Sequence, residues 1–399
     1  MDSVRYLNRT AFVLGRGAES DCGVMVRQEG ARSVLVLYGR KYAPQSGLLE
    51  RLSRSLDRAG IAHYELGGVV SNPRVDLVRE GIALCGEHRI DFILAVGGGS
   101  VIDSAKAIAA GMFTEGDVWD LYRGTKSLYR ALPVGVILTF PGSGSECSDL
   151  SYITNDDEDG QRVKCALRSP SLIPRFCIMN PELTYSLSAK ATANGAVAML
   201  AHLMSCYFTA QDHVPIVARM IESQIAGIID ALRRCQGDLH DYDARFALMW
   251  AEMMVFAGPL TAGIARDHAT ALLENAISEY RDKPHGNTYS LLVPAYLCFI
   301  TEHDVMKMAR FASYALGVPL RFDEVKRTAK EGISRWYQLM EDFSLPCYLS
   351  DIHLSPADIP GLIPHLPLAK GHIGSYVELD RPACEAIYTL AVFNPLRLR

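Results

Sequence analysis

The run Leu94-Ala95-Val96-Gly97-Gly98-Gly99-Ser100-Val101-Ile102-Asp103-Ser104-Ala105-Lys106 carries the clearest chemistry in this chain. A short apolar β-run ends on three glycines and a serine, and a helical pattern begins at once. The backbone N–H groups left free at the positive end of such a helix receive a pyrophosphate. Glycine is needed because a Cβ would hold the backbone away from the phosphate. A turn of this kind also occurs as a plain strand-to-helix connection. Asp103 and Lys106, following it directly, sharpen the reading toward a nucleotide loop.

Positioning such a loop calls for a parallel sheet. Ser33–Tyr38 reads as a buried strand broken at Gly39, and helical periodicity follows through Leu48, Leu49, Leu52 and Leu56. Phe92–Val96 is the next strand, and Gly135–Thr139 another that stops at Pro141-Gly142. Runs that are apolar throughout, rather than alternating, fit parallel strands covered on both faces. The first part is therefore an α/β layer domain with ligands expected at the carboxyl ends of its strands. After Asn180-Pro181 the texture turns helical, with patterns over 191–210, 216–235, 245–256, 269–280, 304–315 and 322–340. These place a domain boundary near residue 182, giving an α/β domain over 1–182 and an all-helical domain over 183–399. The acidic run Asp156-Asp157-Glu158-Asp159-Gly160 reads as a solvated hairpin tip.

Composition narrows the function. The 399 residues suffice for two cored domains. With 49% hydrophobic and 21% charged residues the mix is that of a soluble globular protein. A net charge of -5 and the lack of a Lys/Arg run exclude a nucleic-acid footprint. No stretch reaches the roughly 18 apolar residues of a membrane span, and the N-terminus has no secretory apolar core. Ten cysteines with no Cys-x-x-Cys pair argue against a zinc ribbon or disulfide scaffold and for reduced thiols in a cytoplasmic protein.

Taken together, these segments resemble the iron-containing (group III) alcohol dehydrogenase family, in the branch of butanol dehydrogenases and aldehyde reductases. The resemblance rests on Gly97–Lys106, on Thr139-Phe140-Pro141-Gly142-Ser143-Gly144-Ser145-Glu146, on Asn180-Pro181-Glu182-Leu183-Thr184, on Asn194-Gly195 before His202, and on Pro284-His285-Gly286 before Leu291–Pro294. It implies a dehydroquinate-synthase-like fold: a Rossmann-like dinucleotide domain, a helical domain, and a site in the cleft between them. It further implies cofactor roles for Gly97, Gly98, Gly99 and Ser100 at the pyrophosphate, Asp103 lining the cofactor cleft, and Thr139, Ser143 and Ser145 in the second loop. Lys164 is implied at the ribose and Asn72 close to the cofactor. After the second strand the chain reads Tyr38-Gly39-Arg40-Lys41, with no carboxylate to bond a ribose 2′-hydroxyl. Arg40 and Lys41 suit a 2′-phosphate, so NADP is favoured over NAD. A homo-oligomer, a dimer, is the family expectation.

The chain then departs from the family. The resemblance implies a metal held by an aspartate, a histidine four residues later, and two histidines fourteen residues apart. Those positions read Ala198, His202, Ala271 and His285, and a further family histidine is Asn275. Two neutral imidazoles hold a divalent cation weakly, so no metal is expected. A displaced site can be drawn from His202, Cys206, His285 and either Asp267 or His268, with Glu274 one turn on. Against it, a buried cysteine is commonly inert packing and Asp267 suits a helix cap. The expected function is a metal-independent NAD(P)H oxidoreductase acting on an activated small molecule: an imine, a conjugated C=C or an activated carbonyl. His202, His285 and His268 are its catalytic candidates, with a protonated His202 or His285 as acid. Tyr280 and Tyr289 rank lower, and the remaining histidines, His213 among them, match no motif. Alternatives are a nucleotide-binding scaffold without catalysis and a non-redox enzyme on the same frame.

Overall fold

The computed structural model of the protein describes residues 4–40, 45–156, 162–210, 215–258, 260, 262–281 and 285–393, with His285 through its backbone alone. Lys41, His213 and the acidic tip from Asp157 to Gly160 lie outside the described residues. The chain divides into two compact units. One takes in Leu7–Ser186 and Glu252–Ala257; the other takes in Leu187–Ala251, Gly258–Arg399 and Met1–Tyr6. A segment of six residues from the helical half thus counts with the first unit.

The first unit is built on strands β1 (Ala11–Leu14), β2 (Ser33–Gly39), β3 (Ala62–Val69), β4 (Phe92–Gly97), β5 (Val134–Leu138) and β8 (Phe176–Met179). They form one six-stranded sheet in the order β1-β8-β5-β4-β2-β3, with every neighbouring pair parallel. Helices α1 (Cys22–Gln28), α2 (Leu48–Arg58), α3 (Val75–Glu87) and α4 (Gly99–Gly111) accompany the strands. Val34, Leu35, Phe92, Ile93, Leu94, Ala95 and Ile137 are fully enclosed, as strands covered on both faces must be. From β2 the chain steps outward to β3, then returns past β2 to β4 and continues to β5 on the other side. The order therefore reverses between β2 and β4, and the crevice beyond the carboxyl ends of those two strands is where an open sheet binds a ligand. Gly39 and Gly97 stand at those two ends. A separate antiparallel pair, β6 (Leu150–Asp156) with β7 (Arg162–Arg168), follows β5 in the chain.

The second unit is helical: α5 (Ala189–Tyr207), α6 (Pro215–Gly237), most of α7 (Tyr242–Phe256), α8 (Ala269–Arg281), α9 (His285–Thr301), α10 (Val305–Leu316), α11 (Val325–Asp342) and α12 (Arg381–Leu390). Each apolar face needs a neighbour, and α5 packs on α6 and α9, α8 on α9, and α10 on α11. Ser188 caps α5 by accepting from the Ala191 amide at 3.2 Å, and Asp304 caps α10 by accepting from Lys307. Among the described residues no helix is long and apolar enough to cross a membrane. The ten cysteines are free thiols, seven buried and three half-buried.

Candidate functional site

Because β4 stops at Gly97 and α4 starts at Gly99, Gly98 joins strand to helix in an extended conformation, φ -103° and ψ -165°. The first amides of α4 have no upstream helical carbonyl and sit at the positive end of the helix dipole. Gly98, Gly99 and Ser100 are half-exposed. A Cβ on Gly98 would lie 2.9 Å from Cβ of Phe140, and one on Gly99 2.8 Å from the Ser143 hydroxyl. The glycines let the second loop lie directly against the first, and the Thr139 amide donates to the Gly97 carbonyl at 3.1 Å. Asn72 sits in left-handed backbone, φ 51°. Lys164 on β7 donates to its Oδ1 at 3.1 Å, with the ammonium over the Tyr152 ring at 5.5 Å. The Thr154 amide on β6 donates to Pro73 at 2.8 Å, tying the Asn72 loop to the β-pair. Asp103 lies close enough to Lys164 to feel its charge. Asn72, Asp103, Lys164 and both loops are thus brought to one place.

The support beneath these loops is charged and buried. Lys106, one turn after Asp103, is wholly enclosed. Its ammonium donates to Ser145 Oγ at 3.1 Å and to the Ser148 and Leu150 carbonyls at 2.9 Å. Burial pulls that ammonium down to about 8, against the pull of Asp103 and Glu146. Ser145 donates to Asp103 at 2.6 Å. Burial pushes the Asp103 carboxyl up, opposed by Lys106 and Ser145. Asp103 and Ser145 therefore grip one another and lock the second loop to α4. Glu252 on α7 accepts from the Ser143 and Gly144 amides, both at 3.1 Å. Its neighbour Glu146 is equally buried, and burial together with the facing Glu252 holds the Glu146 carboxyl well above the ordinary range. Of the two facing carboxyls, Glu146 is the one pushed further toward its protonated form, by burial and by Glu252.

In the helical unit, His202 on α5 meets Arg266 in the segment before α8. The Arg266 Nη1 lies 3.1 Å from His202 Nδ1 and 3.2 Å from Nε2. Burial, then the charges of Arg266 and His268, push His202 down to about 3. His202 is therefore a neutral imidazole at physiological pH. This corrects the expectation of a protonated His202: the positive charge belongs to Arg266. His268 is exposed and His285 starts α9, its side chain outside the described residues. A Cβ on Gly286 would meet Asn194 on α5 at 2.7 Å, so the start of α9 presses on the turn before Ala198. Asp267 accepts from Tyr296 at 2.5 Å and from the Ser375 amide at 2.8 Å. Glu274 accepts a hydrogen bond from Thr288, and Tyr280 donates to Asp358 at 3.3 Å.

Residues 9–181 match the family described as iron-containing alcohol dehydrogenase, and residues 192–392 match the C-terminal domain of the Fe-containing alcohol dehydrogenase family. The chain belongs to the iron-containing alcohol dehydrogenase family. It is 32% identical over 381 residues to the probable NADH-dependent butanol dehydrogenase 1 of Bacillus subtilis, covering 96% of this chain and 97% of that protein. It is 28% identical over 360 residues to the NADPH-dependent aldehyde reductase YqhD of Escherichia coli, covering 90% of this chain and 91% of that one. The crystal structure of NADH-dependent butanol dehydrogenase A from Thermotoga maritima superposes with a TM-score of 0.90 at 28% identity, over 98% of this chain and 99% of that one.

The nucleotide and metal expectations of the iron-containing alcohol dehydrogenase family fare differently here. The cradle of α4 amides, Ser143, Asn72 and Lys164 fits a dinucleotide: donors and a cation converge beside half-exposed glycines. The metal positions do not fit a divalent ion. Ala198 and Ala271 offer no donor atom, and the one described imidazole, His202, faces a guanidinium. Among the described residues no group of three or more His, Cys, Asp or Glu is placed to hold a metal. Of the displaced set, Asp267 and Glu274 are already engaged in hydrogen bonds, and the side chain of His285 lies outside the described residues. Sequence reasoning missed Arg266, Glu252 and the supporting part of Lys106. Glu252 carried a signal, as a lone acid inside the apolar run Met249–Ala257. Arg266 carried none, since only the fold shows that it meets His202.

Proposed function

We propose that this family member is an NAD(P)H-dependent reductase of small molecules that works without the family metal. Its substrates are already activated: an imine or iminium, a conjugated C=C, or a carbonyl beside an electron-withdrawing group. The observation that carries this reading is the guanidinium of Arg266 against His202, where two of the family ligands are alanines. Losing a Lewis acid forfeits several kcal/mol of transition-state stabilisation, and about 1.4 kcal/mol is tenfold in rate. An unactivated aldehyde would then be reduced slowly, whereas an activated one needs less help.

The bound nicotinamide would supply hydride. The α4 amides, Ser143, Asn72 and Lys164 hold and orient the dinucleotide, and Arg40 at the end of β2 favours the 2′-phosphate of NADPH. Arg266 provides a fixed positive charge, and His202, kept neutral, steadies that guanidinium by packing its ring nitrogens against it. The names of both NADH- and NADPH-dependent relatives support a nicotinamide cofactor.

The test is oxidation of NADPH and NADH with a panel of simple aldehydes, cyclic imines, enones and activated ketones, before and after chelation, alongside elemental analysis. Turnover of activated substrates unchanged by chelator, with substoichiometric metal, is expected. One tightly held zinc or iron per chain, with activity lost on its removal, would overturn the reading.

A further inference from the structure

The half-buried and buried arginines of the helical unit differ in what they are given to hold. Arg245, nearly inaccessible, donates to the Leu239 and Leu187 carbonyls and to Thr192. Arg310 donates to Glu222 at 2.8 Å. Arg266 is half-buried like Arg310, yet among the described residues it hydrogen-bonds only to the ring of His202 and makes no ion pair. The carboxylate next to it in sequence does not serve it. Asp267 is turned to Tyr296, Ser375 and the Ala269 amide.

A guanidinium withdrawn from water without an anion is a costly arrangement, and it is compensated when an oxyanion arrives. His202 approaches through Nη1 alone, so the Nη2 and Nε donors of the fork remain for another acceptor. That fork matches the two oxygens of a carboxylate. On α5, Ala198 lies one turn before His202, and on α8, Ala271 lies one turn after Asp267. Both are half-buried methyl groups that bring no competing charge.

We propose that Arg266, braced by His202, is an anion-binding subsite, and that the substrate is a small carboxylate-bearing carbonyl or imine compound. This rests on the reductase reading and narrows it to one substrate class.

The experiment is titration of the whole protein, with and without NADPH, by oxalate and by its neutral counterpart oxamide at constant ionic strength. Calorimetry gives affinity and melting temperature reports folding. Oxalate should bind and oxamide should not. Arg266→Gln should weaken oxalate about ten- to a hundredfold, with Arg266→Lys between, while NADPH affinity is retained. Equal oxalate affinity in Arg266→Gln and the parent, or no oxalate binding to the parent, would overturn the subsite. A parent protein that binds oxalate but reduces no panel substrate would overturn the reductase reading and leave the subsite standing. If Arg266→Gln fails to fold, Arg266→Lys decides: undiminished oxalate affinity there would refute bidentate recognition.

Discussion

Arg40 stands exposed where β2 ends, with no ion pair among the described residues. Tyr38, two residues earlier, gives its hydroxyl to Glu65 at 3.1 Å, so that acid is already occupied. If Arg40 pairs with a 2′-phosphate, Arg40→Ala should lower kcat/KM for NADPH about tenfold, the size of one charge-assisted hydrogen bond, and leave NADH unaffected. Steady-state kinetics with both cofactors checks this, and equal losses would remove Arg40 from cofactor choice. The family resemblance placed the glycine loop, Asn72 and Lys164 at one cofactor, and the structure brings Asn72 and Lys164 into contact. Arg266 was not legible, because a guanidinium distant from His202 in sequence becomes its neighbour only through the packing of α5. The charge state of His202 was equally hidden: it depends on burial, which one sequence does not display.

Helix α7 adds a second clamp to the second loop, beside the one that Asp103 and Ser145 form. The Glu252 carboxylate holds the Ser143 and Gly144 amides, and a proton kept on the facing Glu146 carboxyl, which burial pushes up, would be shared with it. Both carboxyls lie above their ordinary value of 4.5. A raised folded value means that the stability they contribute is full below that ordinary value and is lost as pH climbs toward the folded one. Glu146→Gln supplies a permanent N–H donor to Glu252. It should melt roughly 3 °C higher than the parent at pH 8, with the gap closing near pH 5. Parallel melting profiles for the two proteins would rule out the shared proton. Buried strands β2, β4 and β5 were readable because both faces are covered and the sequence is apolar throughout. Strand β3 was not, since it lies at the sheet edge and carries His63, Glu65, Gly67 and Gly68. The four-residue strands β1 and β8 are too short to show a period.

Ligands that bind only the folded chain raise its melting temperature, by about 2.7 kcal/mol of stability at about 100 times Kd. NADPH should do so here, whereas zinc or ferrous ion at the same concentration should leave the transition in place; a metal-induced rise with NADPH inert would reverse the assignment of both sites. The two-unit organisation was legible from the change in texture near Asn180-Pro181, and the structure moves the division to Ser186 and Leu187. What the texture hid was the return of Glu252–Ala257 to the sheet-bearing unit. That return has a genetic corollary. A chimera joined to a homologous gene at residue 186 inherits Glu146 from one parent and whatever occupies position 252 from the other. Unless the incoming gene encodes an acid there, the hybrid carries an orphaned proton donor under its nucleotide loop. Crossovers placed on both sides of the Glu252–Ala257 segment, so that it travels with the front of the gene, are the ones that should yield working hybrids.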